Sequence, residues 1–204
     1  MFGEKLGMAR FRQLFILTLI ACSVTIAKAQ EKVDQQYEPS QATPYGTISP
    51  EAPPSLGDFD ELIGLHDCTS VLRNPDQSWA DEQPMIWKWK YIMNGLAVQD
   101  EVYSTNGRYA GSIRQFDADS AKWYVHYYSS QGFTSTLSSW VGEKRSEEGI
   151  VLYKEQKAPN GMEGFYKIVF SEIEEASFRW TGSWVNADES IVFPTWKIAC
   201  KKRE

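Results

Sequence analysis

Two histidines and three cysteines in 204 residues leave little material for metal or thiol chemistry. The chain also lacks a Gly-x-Ser-x-Gly elbow, a His-Glu-x-x-His pair and a phosphate-cradling P-loop, so no motif points to a serine hydrolase, a zinc peptidase or a nucleotide hydrolase. Basic residues are few: 21 Lys and Arg stand against 27 Asp and Glu, a net charge of -6, with no Lys/Arg stripe. Such a chain is not expected to bind nucleic acid or an anionic membrane surface.

Long apolar runs are missing except for one. Leu14 to Ile26 is apolar over roughly thirteen residues, against the ~20 that a membrane-spanning helix needs. Lys5, Arg10 and Arg12 precede it and Ala27-Lys28-Ala29 follows, so residues 1–29 read as a signal peptide and the mature chain as an exported protein beginning near Gln30. Leu19-Ile20-Ala21-Cys22 also has the order of a lipobox, and a membrane becomes a partner if Cys22 carries a lipid. The apolar "SVTIA" after Cys22 favours soluble export, periplasmic or secreted, over that anchor.

Large aliphatics are scarce from residue 30 to 58, where Glu, Gln, Ser, Thr and Pro dominate. This stretch is expected to be a disordered linker, because it buries too little apolar surface to offset its ordering entropy. Residues 59–204 are then one domain.

What is present there is aromatic. All eight Trp lie in this segment, spread over short runs separated by turn chemistry. "MIWKWKYIM" alternates, with Trp87, Trp89, Tyr91 and Met93 on one face and Ile86, Lys88, Lys90 and Ile92 on the other. That is the period of a half-buried strand. Asn94-Gly95 follows as a hairpin turn, and the pattern repeats to the C-terminus. No segment sustains a helical period; only "FDELIG" suggests a helical turn. The fold class is all-β, a single up-and-down antiparallel barrel of about ten strands, since closure removes the exposed edges of a long meander. About ten strands leave an interior wide enough for a ligand.

Closure makes the first and last strands neighbours, which brings Cys68 near Cys200. In an oxidising compartment the economical pairing is a disulfide between them. His66, two residues from Cys68, would sketch a three-ligand metal site with the same sulfurs, and the disulfide is preferred. No metal and no cofactor is expected.

The phrases "FDELIGLHDCTSV", "YIMNGLAVQDEVY", "IRQFDADSAKWYVHYYSS" and "FRWTGSWVNADESIVFPTWKIACKK" resemble the strands of a calycin-like, lipocalin-like family of bacterial proteins of unknown function. The resemblance spans nearly all of 59–204 and implies a meander barrel with an internal cavity. One departure stands out. Where calycins carry Gly-x-Trp in the first strand, this chain has Gly64-Leu65-His66, at the plug of the barrel base. His66 is read as a structural substitute for that tryptophan, in need of a hydrogen-bond partner.

Strand parity nominates a site. With Trp87, Trp89 and Tyr91 inward, the turn at Asn94-Gly95 sends Leu96, Val98, Asp100 and Val102 inward too. A buried Asp100 needs a donor, and Arg114 has the matching parity. Trp180 adds an aromatic wall, and His126 in "KWYVHYY" a second polar group. The leading expectation is a cavity for a small apolar or aromatic ligand, walled by Trp87, Trp89, Tyr91 and Trp180 and oriented by Asp100, Arg114 or His126. One alternative is a cavity enzyme of isomerase, cyclase or hydratase type, with His126 or Asp100 as general base. Another is an envelope interaction module with a filled core.

Overall fold

Alternation of apolar and polar residues becomes strand after strand in the computed structural model, which describes residues 34–204. In β2 (Gln83–Ile92), Met85, Trp87, Trp89 and Tyr91 are buried while the residues between them stay half-exposed. On the outer face Lys88 and Lys90 reach Glu101 of β3 (Ala97–Ser104) at 3.4 and 3.5 Å. The other strands are β1 (Gly64–Leu72), β4 (Tyr109–Asp117), β5 (Lys122–Ser129), β6 (Ser138–Gly142), β7 (Ile150–Glu155), β8 (Gly164–Ser171), β9 (Ser177–Asn186) and β10 (Val192–Lys202). Each pairs antiparallel with the next, and β10 closes on β1, so the barrel has no free edge. This is an all-β, up-and-down, closed barrel of ten strands, compatible with a calycin-like fold.

The seam is covalent. Cys68 lies opposite Cys200 in the β1–β10 ladder, and the two form a disulfide across 132 residues of chain. A disulfide is consistent with an oxidising, exported location. Among the described residues no helix is long and apolar enough to cross a membrane. The expected signal peptide and Cys22 lie outside the described residues.

One end of the barrel is plugged from the inside. The 3-10 helix Pro54–Leu62 buries Leu56, Phe59 and Leu62 completely. Phe59 stacks on Trp89 at 5.7 Å between ring centroids and meets Trp123 and Phe170 edge-on at 4.8 and 5.9 Å. Polar contacts hold the helix in place: Trp123 Nε1 and the Arg145 backbone N–H donate to Asp58 at 3.0 and 2.9 Å, and the Tyr91 hydroxyl donates to Asp60.

Within the stretch 30–58 expected as a linker, the residues just before the helix bond to the β2–β3 hairpin, while 30–33 lie outside the described residues. The Tyr91 N–H donates to the Tyr45 carbonyl and the Ser49 N–H to the Gly95 carbonyl. Gly95 has φ +78, and a Cβ there would meet the Ser49 nitrogen and Thr47 oxygen at 2.5 Å. The hairpin glycine thus serves both the turn and the strap lying on it. Leu56 of this stretch is buried together with Phe59 and Leu62 of the residues that follow it.

Candidate functional site: a half-filled barrel with a polar floor

The aromatic residues divide the interior by height. Near the plug, Trp87, Trp89, Phe170 and Phe178 pack against one another with ring centroids 5.2 to 6.2 Å apart, leaving that level filled. Above it lies a cavity of about 480 Å³ reaching to the opposite mouth, within the range of small-molecule sites. Its walls include Met85, Val125, Leu152, Ile168, Trp180 and Ile198. Trp180 meets Trp196 edge-on at 5.1 Å, and Trp196 Nε1 donates to Ser70 Oγ at 2.8 Å, so that wall is held in a fixed orientation.

The floor is charged. Asp100 of β3 and Arg114 of β4 are 2 and 3 % exposed, and Arg114 Nη1 lies 3.2 Å from Asp100 Oδ2. Asp100 also accepts hydrogen bonds from Trp87 Nε1 at 3.0 Å and from the Ser112 N–H at 2.6 Å. Its two oxygens are thereby fully engaged, as a buried carboxylate requires. The Arg114 guanidinium rests on the faces of Trp89 at 4.3 Å and Phe59 at 5.3 Å, joining the cavity floor to the plug. Burial lowers the Arg114 pKa, opposed by the charge of Asp100.

The residues nominated from parity separate here. Trp87, Asp100, Arg114 and Trp180 line the cavity. Trp89 and Tyr91 point inward but lie below the floor, Trp89 against Phe59 and Tyr91 hydrogen-bonded to Asp60, and do not reach the cavity. Burial and that hydrogen bond both push the Tyr91 phenol well above its usual range.

His126 is a correction. Trp123 and Val125 are buried and Tyr127 lines the cavity, so the even positions of β5 face outward, and the His126 imidazole bonds Ser139 Oγ at 2.8 Å on that outer surface. It can neither orient a ligand inside nor act there as a base. Asp100, which accepts two hydrogen bonds and is ion-paired with Arg114, is poorly placed to take a proton from a substrate. Leu96 is likewise exposed rather than inward, because Met93, Asn94 and Gly95 all take positive φ and carry Leu96 out of the ladder.

His66 sits in the closed end, 1 % exposed, with its ring edge-on to Phe178 at 5.1 Å. Burial first, and the charge of Lys202 second, lower its pKa to about 4. A backbone hydrogen bond with Trp87 opposes that shift, and Nδ1 is buried without a hydrogen-bond partner. Both nearby sulfurs are in the disulfide, and among the described residues no group of three or more His, Cys, Asp or Glu is placed to hold a metal ion.

Other cavity residues were not nominated from the sequence: Trp140, Lys154 and Tyr166. In "IVLYKEQ", Lys154 shares the parity of Ile150 and Leu152, a signal that its charge concealed, since a lysine in a strand is usually read as outward. No family model matches this chain, and no curated protein is similar to it in sequence.

Proposed function

We propose that this protein is an exported, calycin-like barrel that binds one small apolar or aromatic molecule without covalent chemistry. The observation that carries this reading is the combination in one enclosure of a cavity of about 480 Å³, tryptophan walls and a fully buried ion pair as its floor. A filled core would have no such space, and large apolar walls are stabilised by an apolar guest that displaces water. The mouth suits the same class of ligand, since Leu72, Phe133, Leu137, Ile191 and Val192 are exposed on the strand ends and loops around it.

The test uses the mature chain and 1-aminoanthracene, a neutral dye whose fluorescence rises in apolar surroundings. Saturable one-to-one enhancement is expected, together with its loss in Ala110→Phe, where a ring projects into the cavity from β4. Enhancement that is absent, or that persists unchanged in Ala110→Phe, sinks the reading.

A further inference from the structure

Besides Arg108, which is exposed at the mouth and donates to the Tyr127 hydroxyl at 2.9 Å, the cavity lining holds one more cation without a carboxylate partner among the described residues. Lys154 projects from β7 into the space, and its Nζ lies 4.7 Å from the Trp140 ring centroid, over the indole face. The register that pairs Gly142 with Leu152 sets these two side chains opposite each other on the inner surface of β6 and β7. Among the described residues no carboxylate forms an ion pair with Lys154, in contrast with Lys88, Lys90, Lys122, Lys157 and Lys167, each bound to a glutamate. Asp100, inside the same cavity, is already taken by Arg114, and the remaining acid of the lining, Asp81, is exposed at the mouth.

An ammonium in such a place loses hydration and gains only a ring face in return. Burial accordingly lowers the Lys154 pKa, with no neighbouring acid to raise it. Close by, Trp140 Nε1 is buried and finds no acceptor. An ammonium in a cavity without a counter-charge calls for an oxyanion. The chain as a whole is acidic, which makes an unbalanced positive charge in its cavity the more specific.

We propose that Lys154 is the anchor for a carboxylate on the ligand, so that the barrel takes an apolar or aromatic body carrying one acid group, with the acid at the β6–β7 wall and the body among Trp180, Ile168 and Leu152. This rests on the reading of the cavity as a binding site and adds the chemical class of its occupant. A carboxylate suits the ammonium because it supplies the missing counter-charge and accepts its N–H groups. The neutral floor pair Asp100–Arg114 remains intact beneath it.

The experiment compares 6-phenylhexanoate with 6-phenylhexan-1-ol, equal in body and different in head, by isothermal titration into the mature protein, Lys154→Met and Lys154→Arg. The acid is expected to bind the unsubstituted protein about tenfold or more tightly than the alcohol, the value of a charge-assisted hydrogen bond. Lys154→Met should abolish that preference, with an unchanged far-ultraviolet spectrum showing that the variant is folded. Lys154→Arg should retain it. If acid and alcohol bind alike in all three proteins, the cavity is a binding site and Lys154 is not its anion anchor. If neither compound binds while 1-aminoanthracene does, the acid class is wrong. If no probe of the three binds, the binding-barrel reading falls as well.

Discussion

Phe59, from the helical turn that precedes the first strand, lies edge-on to Trp123 of β5 at 4.8 Å, and its neighbour Asp58 accepts the Trp123 indole N–H at 3.0 Å. One apolar and one polar contact thus fasten the same helix to the same tryptophan. The barrel floor is built by the segment leading into it, and the cation of Arg114 rests on that floor.

Removing the ring should therefore unseat more than a plug. Phe59→Ala is expected to cost about 3 to 5 kcal/mol, the usual penalty for emptying a fully buried phenylalanine site. Urea unfolding followed by tryptophan fluorescence measures it. A loss below about 1 kcal/mol would show that the helix is not part of the folded core.

The floor ion pair makes an asymmetric prediction. Asp100→Asn leaves Arg114 buried without its counter-charge and is expected to cost about 3 to 5 kcal/mol. Replacing both partners, Asp100→Leu with Arg114→Met, should cost less than the single change, because no buried charge remains. Denaturation midpoints of the two variants decide the order; the reverse order would mean that Arg114 finds another partner.

Loss of the Cys68–Cys200 bridge should lower stability by about 2 to 5 kcal/mol, since it closes a loop of 132 residues. Comparing guanidinium unfolding with and without a reductant tests this. The seam between β1 and β10 should keep its ladder in the reduced form, so the folded far-ultraviolet spectrum is expected to persist below the transition.

Acid should weaken the fold through His66. Its folded pKa of about 4 lies below the usual 6.5, so between these values the unfolded chain binds more protons than the folded one. Stability is fully present above pH 6.5 and declines as the pH falls to about 4, by about 3 kcal/mol for a shift of this size. His66→Phe, which keeps a flat ring against Phe178, should flatten the profile across that window. An unchanged slope in the variant would assign the acid sensitivity to other groups.

The strands themselves were legible because their cause is local. Trp87 and Lys88 alternate along β2, Asn94-Gly95 punctuates it, and the ladder pairs Ile92 with Ala97 as that turn implies. The partnership of Asp100 with Arg114 was legible for the same reason, since two inward polar residues on adjacent strands have few other partners. The segment before β1 was legible as a helical turn at "FDELIG", but not its place inside the barrel. Its hydrophobic residues follow no strand period, and only their burial against Trp89, Trp123 and Phe170 gives them meaning.

His126 shows the limit from the other side. Histidine looked like chemistry, but the parity of Trp123, Val125 and Tyr127 turns it outward, while a lysine that looked like surface turns in. Period two and turn residues determined the strands and their order, consequences of backbone geometry between near neighbours, and closure of the meander with an oxidising compartment then pointed to the pairing of the two cysteines. Height along the barrel axis was decided only by the tertiary structure. Barrel stagger and the inserted helix place Trp89 and Tyr91 below the floor, Asp100 and Arg114 upon it and Lys154 in the cavity wall above. Those heights depend on contacts between residues far apart in the chain, which no local pattern records.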